Sequence, residues 1–386
     1  MYAMLLGIIY LAFISLGLPD SLLGSAWPVM QTEMNALMSY AGIVTMIIAG
    51  GTIISSLASD RLTKKLGTGL VTAVSVLMTA LALLGFSISN EFWMLCIWAI
   101  PYGLGAGAVD AAINNFVAIH YSSRQMSWLH CFWGVGAAIS PYIMSYALTG
   151  GLGWNRGYRL VAILQFILTA VLFISIPLWN KQTKEAANEE EAARVLKLTD
   201  VLKIRGVKYI LWAFFGYCGL ETVTGLWAST YLVTGRGIDV ELAASYASLF
   251  YLGITIGRFL CGFIADKMGD RNMIRLGIAI LLTGIAAILL PLKVEWLCLS
   301  GLVIVGLGCA PVYPSIIHST PVNFGEENSQ AIVGIQMASA YTGSTFMPPL
   351  FGLIAAHVNV NYYPVFLLVL AILVLVMTER LNKVIS

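Results

Sequence analysis

The chain has 386 residues, of which 59% are hydrophobic and only 10% are charged, and its formal net charge at pH 7 is +2. A soluble globular domain carries about 25% charged residues, so a chain this apolar cannot cover a water-facing surface of its size. Secreted disulfide scaffolds, nucleic-acid binders and disordered regulators are therefore excluded. Apolar stretches of 18 or more residues recur from end to end, each long enough to cross a hydrocarbon core about 30 Å thick. The sequence predicts a polytopic membrane protein.

Charge clusters and turn residues divide the chain into twelve apolar segments, which we predict to be transmembrane helices. Their length and the lack of an alternating pattern favour helices over the strands of a β-barrel. The first segment has no basic stretch before it and no small-residue cleavage site, which favours a transmembrane helix over a cleaved signal peptide. The predicted spans are 4–30, 39–59, 66–88, 92–118, 126–150, 157–179, 207–232, 241–264, 273–292, 295–318, 329–352 and 360–380.

The basic residues test this number of spans, because cytoplasmic loops are enriched in Lys and Arg. An even number of spans places both termini on one side of the membrane. If that side is cytoplasmic, sixteen of the 21 basic residues lie at the cytoplasmic side, four lie outside, and Arg258 lies within a span. We predict a multi-pass protein of the cell inner (plasma) membrane with both termini in the cytoplasm.

The only long polar stretch of the chain, residues 180–206, falls between the sixth and seventh spans and holds 11 of the 40 charged residues. Its mixed charge and helix-forming residues are typical of a solvated or surface-lying segment. We predict an all-α membrane protein with two six-helix bundles, an N-terminal one at 1–179 and a C-terminal one at 207–386. The stretch 180–206 is then a cytoplasmic linker.

The two predicted bundles share short sequence matches in the same order. Asp20 and Gly24 of the first span correspond to Glu221 and Gly225 of the seventh, each displaced by 201 positions. Two further matches have similar offsets: Gly103-Leu104-Gly105 with Gly306-Leu307-Gly308, and Asp60-Arg61 with Asp266-Lys267. We infer a duplicated six-helix unit, and in such carriers the substrate site lies near the membrane midplane where the repeats meet.

Three acids lie well inside predicted spans: Asp20, Asp110 and Glu221. A carboxylate in hydrocarbon costs at least about 2.5 kcal/mol on insertion scales, so each acid should face protein or a water-filled cavity. The functional interpretation is a proton carrier or a hydrogen-bond acceptor for substrate. The alternative is an acid that only bonds a neighbouring helix.

Asp110 and Asn114 are four residues apart and share a helix face, and nearby glycines at 103, 105 and 107 would let another helix approach closely. His130 enters the fifth span from the cytoplasmic side at a similar depth, so an Asp110–His130 proton relay is one hypothesis. A histidine that only hydrogen-bonds within the bundle is the other, because a neutral imidazole can do both.

Arg258 is the only Lys or Arg well inside a predicted span, since the others lie in loops or at span ends. It either snorkels or pairs structurally, or it serves as a partner for Glu221 or as a proton-linked substrate anchor. Aromatic and amide side chains complete the candidate substrate site, since sugars are typically held by a stacked ring and several amide or carboxylate groups. The candidates are Trp27, Trp227, Asn114, Asn115, Tyr313 and Gln336.

Over essentially its whole length the chain resembles the major facilitator superfamily. The segment from Gly262 to Gly269 is similar to the superfamily's loop motif, and the first-half copy keeps Asp60-Arg61 but has Ser56 and Thr63 in place of the motif glycines. The resemblance implies that Asp60, Arg61, Gly262, Asp266 and Lys267 brace a cytoplasmic gate and do not bind substrate.

Within the superfamily, GLPDSLLGSAWP, GLGAGAVDAAINN and GLETVTGLWASTYL resemble the fucose–galactose–glucose:proton symporter group. That group carries an acid in the first span and another in the fourth, here Asp20 and Asp110, and a polar residue in the fifth, here His130. Its fourth-span acid is commonly glutamate, whereas this chain has aspartate. The resemblance implies proton-driven uptake by rocking of two halves about a central cavity.

We therefore expect a secondary transporter, and most specifically a proton-coupled symporter of a sugar or a related polar solute. The partners are a small-molecule solute, protons and the lipid bilayer, without nucleic acid, and the chain is expected to be a monomer. The six cysteines form neither a metal pattern nor a disulfide framework, and we expect no metal and no cofactor. The alternatives are a proton-coupled exporter of drugs or lipid-like compounds, an intramembrane aspartyl protease, which the contexts LPD and AVD disfavour, and a receptor on a carrier scaffold.

Overall fold

The computed structural model describes residues 2–37, 39–186, 196, 198–290 and 295–385, and these ranges are helical with short connections. In lipid each spanning segment has to satisfy its own backbone hydrogen bonds, which a helix does. A π-helical turn, Tyr231–Gly235, follows α9, and a 3-10 turn, Val360–Tyr362, precedes α16. The helices are α1 Tyr2–Asp20, α2 Leu22–Glu33, α3 Tyr40–Leu66, α4 Thr68–Ser87, α5 Phe92–His120, α6 Ser123–Thr149, α7 Trp154–Ala186, α8 Leu198–Val201, α9 Val207–Thr230, α10 Val240–Met268, α11 Asp270–Leu289, α12 Glu295–Cys309, α13 Val312–His318, α14 Thr320–Phe324, α15 Glu326–His357 and α16 Tyr363–Ile385.

Ten helical segments of the described chain are long and apolar enough to cross a membrane. Helices α9 and α15 are also long enough, with 24 and 32 residues, but they are less apolar than these ten. The difference follows from the polar residues they carry, such as Glu221 and Gln336. With these two helices, the part of the chain that the structure describes contains twelve spans, which confirms the predicted number.

Two of the spans are broken helices. The first consists of α1 and α2 with a turn at Ser21, close to Pro19, and Asp20 is the last residue of α1. Another consists of α12 and α13, which are separated at Ala310 and Pro311. Proline lacks a backbone N–H and weakens a helix where it stands, so these breaks occur where the sequence places it. Both breaks adjoin candidate site residues.

The second and eighth spans extend further into the motif region than predicted. Asp60 and Asp266 lie within the C-terminal turns of α3 and α10, so the motif residues are helical. The helices end at Gly67 and Gly269, whose φ angles of 82° and 74° fall in the left-handed region. Glycine adopts that conformation without a Cβ clash, which makes it the common helix stop.

The chain forms two compact units. Unit 1 comprises Met1–Phe116 and Leu129–Leu196, and unit 2 comprises Val117–Trp128 and Lys197–Ser386. Of the predicted linker at 180–206, residues 187–195 and 197 lie outside the described residues, and α7 continues to Ala186. The predicted domain boundaries stay a prediction. The core of unit 1 is built from side chains such as Leu22, Phe86, Trp154 and Tyr158, and unit 2 buries Tyr217, Phe250, Phe351 and Tyr363.

Glycines in α5 of unit 1 allow the close helix approach that the sequence predicts. Gly103 lies against the backbone carbonyl of Ile48 in α3, so that a Cβ there would collide with it. A Cβ on Gly105 would lie 2.6 Å from the carbonyl oxygen of Ser75 in α4. Backbone-to-backbone contact of this kind is typical of membrane helices that pack through small residues.

Unit 2 repeats this packing at the matching positions of α12. Gly306 lies against the carbonyl of Phe250 in α10, and Gly308 lies against the backbone of Leu281 in α11. The glycine pairs that the sequence comparison matched thus contact the second and third spans of their own unit in the same order. This agreement supports the inferred duplication of a six-helix unit.

Candidate functional site

In unit 1, Asp20 sits at the break between α1 and α2 and is held by two aromatic side chains. Tyr102 Oη donates to Asp20 Oδ1 at 3.1 Å, and Trp133 Nε1 donates to Oδ2 at 3.1 Å. Each carboxylate oxygen therefore has a donor, and Asp20 as a residue keeps accessible surface. Charge-assisted bonds of this kind stabilise an ionised acid and fix its direction.

The helices that bring these donors to Asp20 pack closely. Gly17, one turn before the acid, lies against the carbonyl of Trp133 in α6 without room for a side chain. The ring of Tyr102 is buried and stacks on Phe86 with centroids 6.4 Å apart. The position of both donors is therefore set by the core of unit 1.

A second polar chain lies deeper in unit 1, at Asp110. Asn114 Nδ2 donates to Asp110 Oδ1 at 2.8 Å, and Asn114 Oδ1 lies 3.0 Å from His130 Nε2. The imidazole also packs edge-on against Phe13, with ring centroids 5.4 Å apart. The side-chain amide of Asn114 thus contacts both Asp110 and His130, and a proton relay between them stays a prediction.

The direction of these bonds follows from the chemistry of the groups. An ionised carboxylate only accepts, so the NH₂ group of Asn114 faces Asp110 and its carbonyl oxygen faces His130. The imidazole Nε2 then has to carry a hydrogen and donate. With Asp110 ionised, the orientation of the Asn114 amide therefore places the hydrogen of neutral His130 on Nε2.

Unit 2 holds a cluster around Glu221, the residue that corresponds to Asp20. Tyr217 Oη lies 2.6 Å from Glu221 Oε2 and 2.8 Å from the backbone oxygen of Cys309. Arg258 Nη2 lies 3.6 Å from the same Oε2, and its role in transport stays a prediction. The guanidinium carbon is 6.0 Å from the ring centroid of Tyr313, a distance at which a cation and an aromatic face attract.

The other residues predicted to bind substrate each pack against or bond a different part of the protein. Tyr313 packs on Phe214 with centroids 4.6 Å apart, and Gln336 is buried and bonds Thr320 at 3.1 Å. Trp227 Nε1 donates to the carbonyl of Pro348 at 3.0 Å. The remaining two candidates, Trp27 and Asn115, are buried within unit 1. Their roles as substrate contacts stay predictions.

The predicted gate residues occupy the ends of α3 and α10. Asp60 is buried and pairs with Lys64 Nζ at 2.8 Å, and Arg61 is exposed. In unit 2, Asp266 Oδ1 accepts the backbone N–H of Arg124 at 3.0 Å, at the first turn of α6.

The neighbouring motif positions differ in exposure. Gly262 lies against the indole of Trp128, where a side chain would collide, and Lys267 is exposed. Through its bond to the Arg124 N–H, Asp266 caps the N-terminus of α6. A carboxylate is favoured there by the unpaired N–H groups and the helix dipole.

Sequence reasoning missed three site residues, Tyr102, Trp133 and Tyr217. Tyr217 is four residues before Glu221, a spacing that places the two on one helix face, and this signal could have identified it. Tyr102 and Trp133 reach Asp20 from 82 and 113 positions away, and nothing in the local sequence indicates these contacts. Among the described residues, no group of three or more His, Cys, Asp or Glu side chains could hold a metal ion.

The sequence model of the Major Facilitator Superfamily matches residues 9–332 and 237–381 of this chain. The chain belongs to the major facilitator superfamily. The resemblance to this superfamily drawn from the sequence motifs is confirmed. The twelve helices in two six-helix bundles are the fold of this family.

Similar proteins with curated descriptions come from yeast and bacteria. The chain is 24% identical over 284 residues to Bypass of stop codon protein 6 of Saccharomyces cerevisiae, covering 67% of this chain and 56% of that protein. It is 24% identical over 280 residues to the cis,cis-muconate transport protein of Acinetobacter baylyi (68% of this chain, 66% of that protein). The match thus spans less than two thirds of either protein's length.

A third relative and two solved structures match over more of their length. The chain is 22% identical over 357 residues to the glucose/mannose transporter GlcP of Bacillus subtilis, covering 89% of this chain and 86% of GlcP. The outward conformation of the transporter FucP superimposes with a TM-score of 0.80 at 15% identity (97% and 98% covered). The proton:xylose symporter XylE gives 0.78 at 12% identity (99% and 95% covered). At these identities the two structures show the shared fold.

Proposed function

We propose that this superfamily member is a secondary active transporter that couples uptake of a sugar or a related small polar solute to protons. It works by alternating access as a monomer, in the cell inner (plasma) membrane, with both termini cytoplasmic. The observation that carries this proposal is the Asp20 carboxylate, accessible and held between the hydroxyl of Tyr102 and the indole of Trp133.

Asp20 has the chemistry of a proton carrier. Its donors are both neutral, and among the described residues no basic side chain forms an ion pair with it. A proton can therefore bind to Asp20 without leaving a buried cation uncompensated, which is the costly outcome for a paired acid. Protonation of Glu221, which lies beside Arg258, would remove the counter-ion of that guanidinium unless another anion took its place.

The same corner of unit 1 also suits a hydroxylated solute. A sugar presents C–H faces, which pack on aromatic rings, and hydroxyl edges, which donate to carboxylates. Trp133 is partly accessible and adjoins the carboxylate, so one ring and one acid are available together. The similarity to a glucose/mannose transporter over 89% of this chain supports a sugar as the solute class.

The test is uptake into proteoliposomes that are acidic outside and neutral inside. Radiolabelled neutral hexoses and pentoses and the corresponding sugar acids are offered one at a time. At least one of these solutes should accumulate in wild-type vesicles, and a protonophore should abolish the accumulation. Asp20→Asn should abolish accumulation and keep solute exchange between the two sides, because exchange needs binding but no net proton movement. Glu91→Gln, at an exposed acid between α4 and α5, is the matched control.

Two results would count against the proposal. Accumulation in Asp20→Asn equal to that of the wild type would remove Asp20 from proton coupling. Uptake that an inward proton gradient does not stimulate, together with gradient-driven extrusion of amphiphilic compounds, would favour an exporter.

A further inference from the structure

The ion pair between Glu221 and Arg258 in unit 2 is loose. Its closest atoms, Glu221 Oε2 and Arg258 Nη2, are 3.6 Å apart, whereas a charge-assisted N–H···O bond is about 2.7–2.9 Å long. The hydroxyl of Tyr217 takes the close position on that oxygen, at 2.6 Å. The attraction between Glu221 and Arg258 is therefore Coulombic, and a better-placed anion could form the short bonds that Glu221 does not.

The two partners differ in access. The side chain of Arg258 is 4% exposed and that of Glu221 is 19% exposed, so the acid lies on the accessible side of the pair. A guanidinium does not lose its proton, and a buried one without a nearby anion is strongly destabilising. Arg258 therefore needs a negative charge beside it at all times, and Glu221 occupies the place from which that charge is supplied.

Tyr217 allows Glu221 to be either ionised or protonated. Its hydroxyl has one hydrogen and two acceptors in reach, Glu221 Oε2 at 2.6 Å and the Cys309 oxygen at 2.8 Å. When Glu221 is ionised, Tyr217 donates to it. When Glu221 is protonated, the acid donates to Tyr217 Oη and the hydroxyl turns to Cys309.

This rearrangement moves only hydrogens. The Cys309 carbonyl is in the last turn of α12, where helix carbonyls lack an intrahelical partner. Protonation of Glu221 therefore leaves the hydrogen bonds of Tyr217 to Glu221 and Cys309 satisfied, and its main cost is the lost counter-ion of Arg258.

We propose that an anionic solute meets this need: its carboxylate binds Arg258 while Glu221 holds a proton, so that one proton accompanies one negative charge. The inference rests on the proposed function and specifies its solute as a hydroxylated carboxylate such as a sugar acid. The charge around Arg258 stays constant, because the incoming carboxylate replaces the one that protonation removed. Tyr251, whose hydroxyl lies against Gly225 one turn after Glu221, offers a further donor for the solute.

Proton and anion binding then favour each other, and this coupling is reciprocal. The affinity for an acidic solute should fall as the pH rises, because ionised Glu221 competes for Arg258. A neutral sugar leaves Glu221 as the counter-ion and should show no such dependence.

The first test measures binding to the full-length protein in detergent, with acetate and glucuronate as probes and glucose as the neutral match. Glu221→Gln should bind both anions about tenfold or more tightly than wild type at neutral pH, since a contact to a charged group is worth that much, and this binding should not vary with pH. The charge-neutral double variant E221Q/R258Q, which removes both partners and so leaves no buried charge, should bind neither anion.

Arg275 and Glu379 provide a matched control. They form another Arg–Glu pair of unit 2, with bonds of 2.6 and 2.7 Å, and R275Q/E379Q should bind the anions as the wild type does. Anion binding that survives in E221Q/R258Q, or that is lost equally in R275Q/E379Q, would overturn the inference.

The second test measures uptake of paired solutes into proteoliposomes, using glucose with glucuronate and galactose with galacturonate. Proton-driven accumulation of the acids and not of the neutral sugars, lost in E221Q/R258Q, is the expected result. Accumulation of neutral sugars equal to that of the acids would overturn this inference and leave the proposed function standing. No proton-driven accumulation of any of the four would overturn both.

Discussion

Asp110 Oδ1 accepts a hydrogen bond of 2.8 Å from the side-chain amide of Asn114, one turn later in α5. Because the amide carbonyl then faces His130 at 3.0 Å, the orientation of one amide sets the tautomer of a buried imidazole in unit 1. The two groups that the sequence singled out as a relay are coupled through a side chain that can itself turn over.

The neutral form of His130 should carry its hydrogen on Nε2. With Asp110 ionised, the Asn114 carbonyl can only accept, so Nε2 has to donate. ¹⁵N chemical shifts of selectively labelled histidine, assigned by comparison with His130→Gln, report the tautomer directly. Finding the hydrogen of the neutral ring on Nδ1 would contradict the assigned direction of the chain.

Asn114→Ala should destabilise the protein by about 1–3 kcal/mol, because it removes one hydrogen bond from a buried carboxylate and one from a buried imidazole. Unfolding of the purified protein in detergent measures the loss. Asn155→Ala, which removes a 3.2 Å bond to the carbonyl of Ser87 in the same unit, is the control with a smaller expected effect. An equal loss of unfolding free energy in both variants would show that the hydrogen bonds of Asn114 stabilise the protein no more than the single bond of Asn155 does.

Gly103→Ala and Gly306→Ala should destabilise to a similar degree, by about 1–3 kcal/mol each, since the added methyl group overpacks a backbone contact. They lie at matching positions of the repeat and face the carbonyls of Ile48 and Phe250. Gly50→Ala is the control, because a Cβ there meets nothing within 4 Å. It should raise helix stability by about 0.5–1 kcal/mol. Thermal unfolding that is unchanged in either of the first two variants would contradict the close packing.

Tyr217→Phe should slow proton-driven accumulation while the protein still folds. The phenyl ring keeps the packing, but protonated Glu221 loses its acceptor and the Cys309 carbonyl loses its donor. The initial rate of uptake against the rate of solute exchange separates coupling from binding. Tyr142→Phe, at a residue that is 78% exposed, is the control and should behave as the wild type does. If Tyr217→Phe accumulates solute at the wild-type rate, the Tyr217 hydroxyl has no part in the mechanism.

Asp266→Asn should lower the maximal rate of transport and leave the apparent affinity for solute nearly unchanged. The amide still accepts the Arg124 N–H, but it no longer places a negative charge at the first turn of α6. Kinetics of uptake over a range of solute concentrations give the two constants separately. An altered affinity with an unchanged maximal rate would instead indicate a role in binding.

The sequence predicted the number of spans and the repeat because both depend on local composition. Asp20 and Glu221 were matched by their offset alone, and the structure gives each an aromatic hydroxyl donor within its own unit. The extension of α3 and α10 through the motif was not predicted, because charged residues at a span end were read as its boundary. A membrane helix can extend past its apolar segment, and α3 and α10 end only at Gly67 and Gly269.

Hydrophobic length, the distribution of basic residues and the glycine matches were sufficient to predict a twelve-span membrane protein with an internal repeat, because a bilayer imposes one span length and backbone contact requires glycine. The tertiary structure decided which groups surround the three acids. Tyr102 and Trp133 meet Asp20 only when α5 and α6 pack beside α1, and Arg258 meets Glu221 only when α10 packs beside α9. These contacts join residues 37 to 113 positions apart, and their formation depends on the packing of whole helices.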